Sequence, residues 1–283
     1  MKLDLHVHST YSDGAYTPQM LIDTAASIDL NVISITDHDN VLSYQIACDY
    51  IKEKGLDIEV IPGVEINTIY NNEEIHILGY FMDFENKNFK KMLKDQQQAR
   101  IAQTHKIVEL LNKKANIPVT FEQINNYIAV GGSIGRPHIA KAIVVAGGAQ
   151  NVMQAYAKYI NDDSDVYIQR ETVTPHDAVE IIYEAGGIPV IAHPCDVANP
   201  EKLVTDLMNY GLRGVEAYHR KHSPAMVEYY SSMAEKYGLI VTGGSDFHGP
   251  NNNNIIYLGK IFIPDWVYDN LKQEKEHIEI AGI

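Results

Sequence analysis

The first apolar segment of the chain runs into His6-Val7-His8-Ser9-Thr10-Tyr11-Ser12-Asp13-Gly14. Residues i and i+2 of a strand lie on the same face, so the imidazoles of His6 and His8 can reach one ion. The Ser-Asp-Gly turn that follows can bring Asp13 back to the same strand end. The stretch therefore predicts a metal site at the end of the first strand.

Short apolar segments alternate with helix signals along the 283 residues. Thr17-Pro18, Thr174-Pro175 and Ser223-Pro224 each place a capping residue before a proline at the first helical position. Repeated strand–helix units over this length predict an α/β fold, a closed or nearly closed β/α barrel. Seven segments rich in Val and Ile are the predicted strands: Leu3–Val7, Val32–Thr36, Glu59–Val64, Ile75–Tyr80, Ile188–Ala192, Gly214–Tyr218 and Leu239–Gly243.

One stretch between the fourth and fifth predicted strands breaks this alternation. We assign 1–85 and 171–283 to the barrel and 86–170 to a helical insertion, here called the arm, that contributes to substrate binding as a lid. Loops at this position line the catalytic face of barrels, which favours a functional role over an ordinary loop elaboration. The predicted arm helices are Phe89–Leu111, Phe121–Ala129, Pro137–Val145 and Val152–Ile160.

Composition limits the class of protein. Hydrophobic residues make up 45% of the chain, yet no apolar run approaches the roughly 20 residues that span a bilayer. There is no secretory signal pattern, and Cys48 and Cys195 are too few for a disulfide framework, so we expect a cytoplasmic protein that does not bind membranes. The net charge of −14 argues against binding duplex DNA. Bound divalent cations would still make a cleft locally positive for a small phosphoester.

Further residues with ligand chemistry lie at or near the ends of other predicted strands, with His76 at the start of the fourth. With the opening segment they make nine candidates at strand ends, too many to attribute to coincidence. Histidine nitrogens and carboxylate oxygens together suit Mn²⁺, Zn²⁺ or Fe²⁺ better than Ca²⁺ or Mg²⁺, and nine ligands favour three ions. The nine are His6, His8, Asp13, His38, Glu65, His76, His193, Asp246 and His248.

The motifs that carry these residues resemble those of the PHP (polymerase and histidinol phosphatase) family, from Lys2 to about Phe262. They are HVHSTYSDG, ITDHD, PGVEI, IHILGY, AHP and GGSDFH. The resemblance implies a distorted seven-stranded (β/α)7 barrel with a trinuclear site, most often of Mn²⁺ and sometimes of iron or zinc. It also implies a partition of the ligands among three ions: His6, His8, Glu65 and Asp246 on one; Glu65, His76 and His193 on the second; Asp13, His38 and His248 on the third.

A site of this type favours hydrolysis of a phosphoester by metal-activated water. We take Asp37, His38 and His193 as the catalytic candidates. Asp37, beside His38, would orient a ligand or shuttle a proton, or alternatively would cap the following turn.

Two cationic segments flank the predicted site and suggest a substrate with a second anionic group. Gly132–His138 is a glycine-rich turn that opens a helix, where backbone N–H groups, Arg136 and His138 would cradle an anion. His219, Arg220, Lys221 and His222 follow the sixth predicted strand. Both segments resemble those of stand-alone PHP phosphoesterases that act on nucleoside 3′,5′-bisphosphates, AMP or short RNA. The chain would act on such a substrate as a monomer or small homo-oligomer.

Two other functions remain open at this point. The same site could hydrolyse histidinol phosphate or phosphotyrosine, although the arm with its GRPH turn speaks against both. A noncatalytic, metal-stabilised module is the third reading, which the intact ligand set disfavours.

Overall fold

The computed structural model describes residues 1–71, 73–161, 163–250 and 254–282. Within those ranges, strands and helices alternate at both ends of the chain, whereas 87–159 holds helices only. The strands are β1 (Leu3–Val7), β2 (Val32–Ile35), β3 (Glu59–Val60), β4 (Gly63–Tyr70), β5 (Glu73–Tyr80), β6 (Ile188–Ile191), β7 (Gly214–His219) and β8 (Ile240–Gly244).

The helices begin where the capping signals place them. Thr17, Thr174 and Ser223 each accept a hydrogen bond from a first-turn backbone N–H group. The helices are α1 (Pro18–Ser27), α2 (Leu42–Lys54), α3 (Lys87–Lys114), α4 (Phe121–Asn125), α5 (Arg136–Val145), α6 (Val152–Tyr159), α7 (Pro175–Glu184), α8 (Pro200–Leu207), α9 (Pro224–Tyr237) and α10 (Asp265–Ala281), with short 3₁₀ turns at Pro194–Asp196 and Met208–Tyr210.

The strands form two sheets that meet near the carboxyl ends of β1, β2 and β8. One sheet is parallel, in the order β1-β2-β3, and the other has the order β4-β5-β6-β7-β8. On one side, the His8 amide donates to Phe247 O (2.9 Å) and the Asp246 amide donates to His6 O (2.8 Å). On the other side, the Asp39 amide donates to Glu65 O (2.9 Å). These bonds bring the ends of strands from both sheets to one place.

The expected seven-stranded barrel requires correction. The described residues form eight strands in two sheets, and β5 pairs antiparallel with both β4 and β6. The predicted third strand, Glu59–Val64, splits because Pro62 has no N–H to continue the ladder. The second piece continues to Tyr70. The sequence did not predict this extension, because the polar residues Asn67 and Thr68 interrupt the hydrophobic pattern of the strand.

Helices α3 to α6 lie in the arm, which has its own apolar cluster. Its buried members run from Ile107 to Val166 and include Leu111, Ile139 and Ile143. The predicted helix Phe121–Ala129 ends early, at Asn125, because the chain then turns to bond the loop after β1. The Ala129 amide donates to Thr10 O (2.9 Å) and the Ser133 amide to Tyr11 O (2.8 Å). The arm is thereby attached to the metal-ligand loop.

Among the helices that the structure describes, each is too short or too polar to cross a bilayer.

At Gly244, β8 lies so close to β1 that we expect a single added methyl group to destabilise the protein. A Cβ at Gly244 would lie 2.4 Å from the His6 backbone nitrogen, so Gly244→Ala should force the two strands apart. We expect a loss of about 1–3 kcal/mol in the free energy of unfolding, measured by urea denaturation. Ser232→Ala, on the exposed side of α9, is the control and should change stability by less than about 0.5 kcal/mol. Equal stability of the two variants would contradict this packing.

Candidate metal centre

The nine ligand candidates converge where the two sheets meet. His6 lies in β1, Glu65 in β4 and His76 in β5, and the other six follow β1, β2, β6 or β8. In the antiparallel hairpin, His76 pairs with Asn67, two residues beyond Glu65. Glu65 and His76 therefore project from the same face of the hairpin.

Glu65 occupies the middle of the cluster, and its side chain is almost fully buried. Its Oε1 lies 2.7 Å from His76 Nδ1 and 3.1 Å from His193 Nε2. Its Oε2 faces three more imidazole nitrogens: His6 Nε2 at 3.3 Å, His8 Nε2 at 3.2 Å and His38 Nδ1 at 3.1 Å. One carboxylate thus contacts five imidazoles.

Two aspartates flank this centre. Asp13 Oδ1 lies 3.2 Å from His248 Nε2 and 3.9 Å from His38 Nε2. Asp246 Oδ1 lies 3.3 Å from His248 Nδ1 and 3.4 Å from His8 Nε2. The aspartates therefore extend the cluster on both sides of His8 and His248.

Several of these close contacts are not hydrogen bonds, although the atoms are buried. Five ligand atoms have no hydrogen-bond partner: His6 Nε2, His8 Nε2, Asp13 Oδ1, His38 Nδ1 and Glu65 Oε2. Buried polar atoms are normally paired, so their convergence needs a further partner. Divalent cations bound by imidazole and carboxylate would satisfy all five, and the donor set fits them.

Distances alone sort the candidates into three overlapping groups. His6, His8 and Asp246 form one group, which holds three of the four ligands that the resemblance implied for the first ion and lacks Glu65. The others differ from the implied partition: His8 also joins Asp13, His38 and His248, and His38 also joins Glu65 and His76. His193 is in none of the three groups, although its Nε2 contacts Glu65.

The electrostatics of the cluster leave its carboxylates and His38 in the protonation states that metal ligation needs. Burial lowers the pKa of His38 to about 3, so its imidazole is neutral. Burial opposes ionisation of Glu65, but the nearby imidazoles of His38 and His76 outweigh it and hold the pKa of that carboxyl well below its usual range. The pKa values of Asp13 and Asp246 are lowered in the same way. Carboxylates and neutral imidazole are the forms that bind cations. For His6 and His248 burial lowers the pKa, but the neighbouring carboxylates outweigh it and raise the pKa of His6 well above its usual range and that of His248 to about 9, so a cation would have to displace a proton there.

Carboxylates outside the cluster orient two of its histidines. Glu216 Oε1 lies 2.9 Å from His6 Nδ1, and Glu216 Oε2 accepts the backbone N–H of His193 (2.7 Å). Asp196 Oδ2 lies 3.1 Å from His193 Nδ1 and accepts from Lys221 Nζ (2.5 Å). Such carboxylate–histidine pairs fix the ring so that its other nitrogen faces the metal.

The side chain of Asp37 is hydrogen-bonded to the loop after β1 rather than capping the turn that follows it. Its Oδ1 accepts from the Ser9 amide (2.7 Å) and Ser12 Oγ (2.6 Å), and its Oδ2 accepts from Ser9 Oγ (2.6 Å). The side chain is fully buried and does not line the cavity. Asp37 therefore shapes the loop that carries His8 and Asp13.

The expected anion-binding residues divide into two sets. His138 and His222 do not line the cavity: His138 Nδ1 accepts from the Gly135 amide (2.9 Å), and His222 Nδ1 donates to Ala217 O (2.8 Å). His219 is buried behind Asp246, with its Nε2 3.5 Å from Asp246 Oδ2. These three histidines serve the local structure of their loops.

The remaining cations lie at the site. Arg136 and Lys221 line the cavity, and Arg220 donates to Asp246 Oδ2 (3.3 Å). Arg136 is paired with Glu74, a neighbour of His76. The cavity of about 320 Å³ also contains the clustered ligands His38, His76 and His193.

Sequence reasoning missed several residues at this cavity, and four of them matter most for its chemistry. Arg100 and Arg170 reach it from the arm, Asn67 from β4 and Tyr156 from α6. Arg100 is surrounded in the sequence by Gln and Lys, which is typical of an exposed helix face, although only 5% of it is exposed. No local signal marks Arg100 as buried, because its partner Asp39 is distant in the chain.

The residues and geometry place the chain among known proteins. The model of the PHP domain family matches residues 4–170. This chain belongs to the PHP domain family. It is 33% identical over 251 residues to the 5′-3′ exoribonuclease Rnm of Salmonella typhimurium, covering 87% of this chain and 85% of that protein. It is 30% identical over 252 residues to the 3′,5′-nucleoside bisphosphate phosphatase of Chromobacterium violaceum, covering 88% and 87%.

A solved structure agrees with this placement. A Bifidobacterium adolescentis protein classed as a metal-dependent phosphoesterase superposes with a TM-score of 0.85 at 30% identity, covering 95% of this chain and 94% of its own. Family and structure together identify the present protein as a hydrolase, a metal-dependent phosphoesterase with a mixed α/β fold.

The contacts of Glu216 predict a loss of metal affinity when its charge is removed. Glu216→Gln keeps the shape but weakens the acceptor that orients His6 Nδ1, so we expect roughly 10- to 100-fold weaker Mn²⁺ binding, measured by titration calorimetry. Glu228→Gln, exposed on α9, is the control and should bind as the parent does. Unchanged affinity in the Glu216 variant would show that Glu216 does not support the metal centre.

Proposed function

We propose that this protein removes phosphate from small nucleotides at a trinuclear centre of divalent metal ions. The observation that carries the proposal is the convergence of five buried, unpaired ligand atoms on one cavity. The substrate class follows from the relatives, whose names specify a nucleoside bisphosphate and RNA. A mononucleotide or a short single-stranded end fits a cavity of about 320 Å³, whereas duplex DNA does not.

We further propose that nine side chains share the ions. Glu65 would help to hold two of them, because its two oxygens face different sets of imidazoles. The mixed nitrogen and oxygen donors favour Mn²⁺, with Fe²⁺ or Zn²⁺ as the alternatives. The proposed ligands are His6, His8, Asp13, His38, Glu65, His76, His193, Asp246 and His248.

When bound, the ions would lower the pKa of coordinated water to about 7 and offset charge on the phosphoryl oxygens. The side chains of the chain set the geometry for that chemistry. Asp37 and Glu216 hold the ligand loops, while Lys221 and Arg220 place positive charge at the rim for the substrate anion. His193 lies at the cavity wall, where Asp196 holds its Nδ1 and its Nε2 would bind a cation beside the scissile phosphate.

We propose that the arm, 86–170, is a second domain that covers the substrate. Its loop is bonded to the β1 loop through Ala129 and Ser133, and its residues Arg100, Arg136 and Tyr156 form one wall of the cavity. A wall contributed by the arm would exclude water and select the nucleotide. The alternative substrates, histidinol phosphate and phosphotyrosine, would make few contacts with this wall.

Phosphate release from a panel of compounds tests the function. We expect Mn²⁺-dependent turnover of nucleoside 3′,5′-bisphosphates, AMP or a 5′-phosphorylated short RNA, and complete loss after treatment with EDTA. Preferential hydrolysis of histidinol phosphate or phosphotyrosine would replace the proposed substrate class. Absence of turnover on every compound after metal reconstitution would favour a noncatalytic module.

Removal of one proposed ligand should abolish catalysis without unfolding the protein. His193→Ala removes an imidazole that contacts Glu65, and we expect turnover to fall by at least about 10³-fold, with an unchanged far-UV circular dichroism spectrum. His105→Ala, in α3 and stacked on Phe121, is the matched control and should retain turnover. Retained activity in the His193 variant would remove His193 from the ligand set.

A further inference from the structure

Two arginines of the arm are buried in the cavity wall. Arg100 is on α3 and Arg170 follows the arm helices, and both line the cavity that holds His38 and His76. Their side chains are only 6% and 8% exposed. Buried guanidinium groups need compensating charge, because removal from water is costly for an unpaired ion.

A single carboxylate serves both arginines. Arg100 Nε donates to Asp39 Oδ2 (2.7 Å), while the nearest Arg170 nitrogen, NH2, lies 3.6 Å from the same oxygen. Arg170 NH2 donates instead to the neutral Asn67 Oδ1 (2.6 Å). The other Asp39 oxygen is used by the Asn67 amide (3.2 Å) and Gln96 (3.3 Å). One negative charge therefore faces two positive charges.

The imbalance leaves one donor of Arg170 available. Arg170 Nε is buried and has no hydrogen-bond partner. Arg100 is engaged more fully, because its Nη2 lies 2.6 Å from Asp39 Oδ2 and its Nη1 donates to Ile134 O (2.8 Å). Burial, and after it the neighbouring Arg100 guanidinium, lower the pKa of Arg170 to about 9, which reflects first the cost of burying its charge and second the repulsion between two cations. An anion between them would remove that cost.

The pair is also linked to the metal ligands. Asp39 directly follows His38, and Asn67 lies two residues beyond Glu65 on the same face of β4. The same loop and strand thus carry ligand candidates and the partners of the two arginines. Arg136, which the sequence singled out, is less available because it is paired with Glu74.

We propose that Arg100 and Arg170 form a second anion subsite. It binds the second phosphate of the substrate nucleotide, the one that is not hydrolysed. This inference rests on the proposed phosphoesterase function and names the feature that the substrate must have. Guanidinium forks suit a phosphate oxygen pair. The occupant is a terminal phosphate monoester or a phosphodiester of a short chain, and the test below separates them.

The test compares substrates on Arg170→Gln, which keeps a donor but removes the charge. We expect kcat/KM for a nucleoside 3′,5′-bisphosphate to fall by at least about 30-fold, mainly through KM, and that for 4-nitrophenyl phosphate, which has no second anion, to change by less than about threefold. Arg213→Gln is the control, because Arg213 contacts Tyr183 and Glu274 away from the cavity. Arg170→Lys, which retains the charge without the fork, should lose less than Arg170→Gln.

A 5′-phosphorylated dinucleotide distinguishes the two kinds of anion. If its turnover falls with that of the bisphosphate, the subsite accepts a phosphodiester; if only the bisphosphate is affected, it requires a terminal phosphate. Equal losses on the bisphosphate and on 4-nitrophenyl phosphate, or no loss on either, would overturn the proposal. Absence of turnover by the parent protein would instead overturn the proposed function.

The parent protein supplies a second measurement that does not depend on how the variants fold. We expect it to use the 3′,5′-bisphosphate at least about 30-fold more efficiently than the corresponding 3′- or 5′-monophosphate, because the monophosphates leave the arginine pair unoccupied. Equal kcat/KM values for bisphosphate and monophosphates would contradict the subsite directly.

Discussion

The burial of many imidazoles around the Glu65 carboxylate is the constraint on which the site depends. Oxygen and nitrogen atoms that approach to about 3 Å without hydrogen bonds are unfavourable unless a cation lies between them. The surrounding backbone is strained as well: Asp39, His193 and Asp246 all have positive φ, at 50°, 25° and 50°. Such conformations persist where the rest of the structure holds them, and they cluster at functional sites.

The fold places these side chains together because its two sheets meet at one edge. Backbone bonds between His6 and Asp246, and between Asp39 and Glu65, join the sheets beside the ligands themselves. The antiparallel hairpin of β4 and β5 then presents Glu65 and His76 on one face, which a parallel strand ending at Val64 could not do. Buried acceptors such as Asp37 and Glu216 keep the ligand loops in place from behind. The arm adds cationic groups to the opposite wall.

The ligand positions could be predicted from the sequence because each is adjacent to an apolar strand, and strand ends meet in α/β folds. The hairpin could not, since Asn67 and Thr68 interrupt the hydrophobic alternation and only tertiary pairing makes them a strand. Asp37, His138 and His222 were predicted to act at the site, because the sequence does not reveal that their side chains are hydrogen-bonded to backbone and hydroxyl groups. Arg100 and Arg170 were missed for the opposite reason: their burial depends on Asp39, a long-range contact that local sequence cannot show.

Elemental analysis of protein purified without chelators tests the central claim most directly. The account predicts close to three divalent ions per chain, with manganese, iron or zinc accounting for them. A crystal of the same preparation should show anomalous scattering among Glu65, Asp13 and Asp246. A metal content near zero, with the same side chains still packed against one another, would contradict the account.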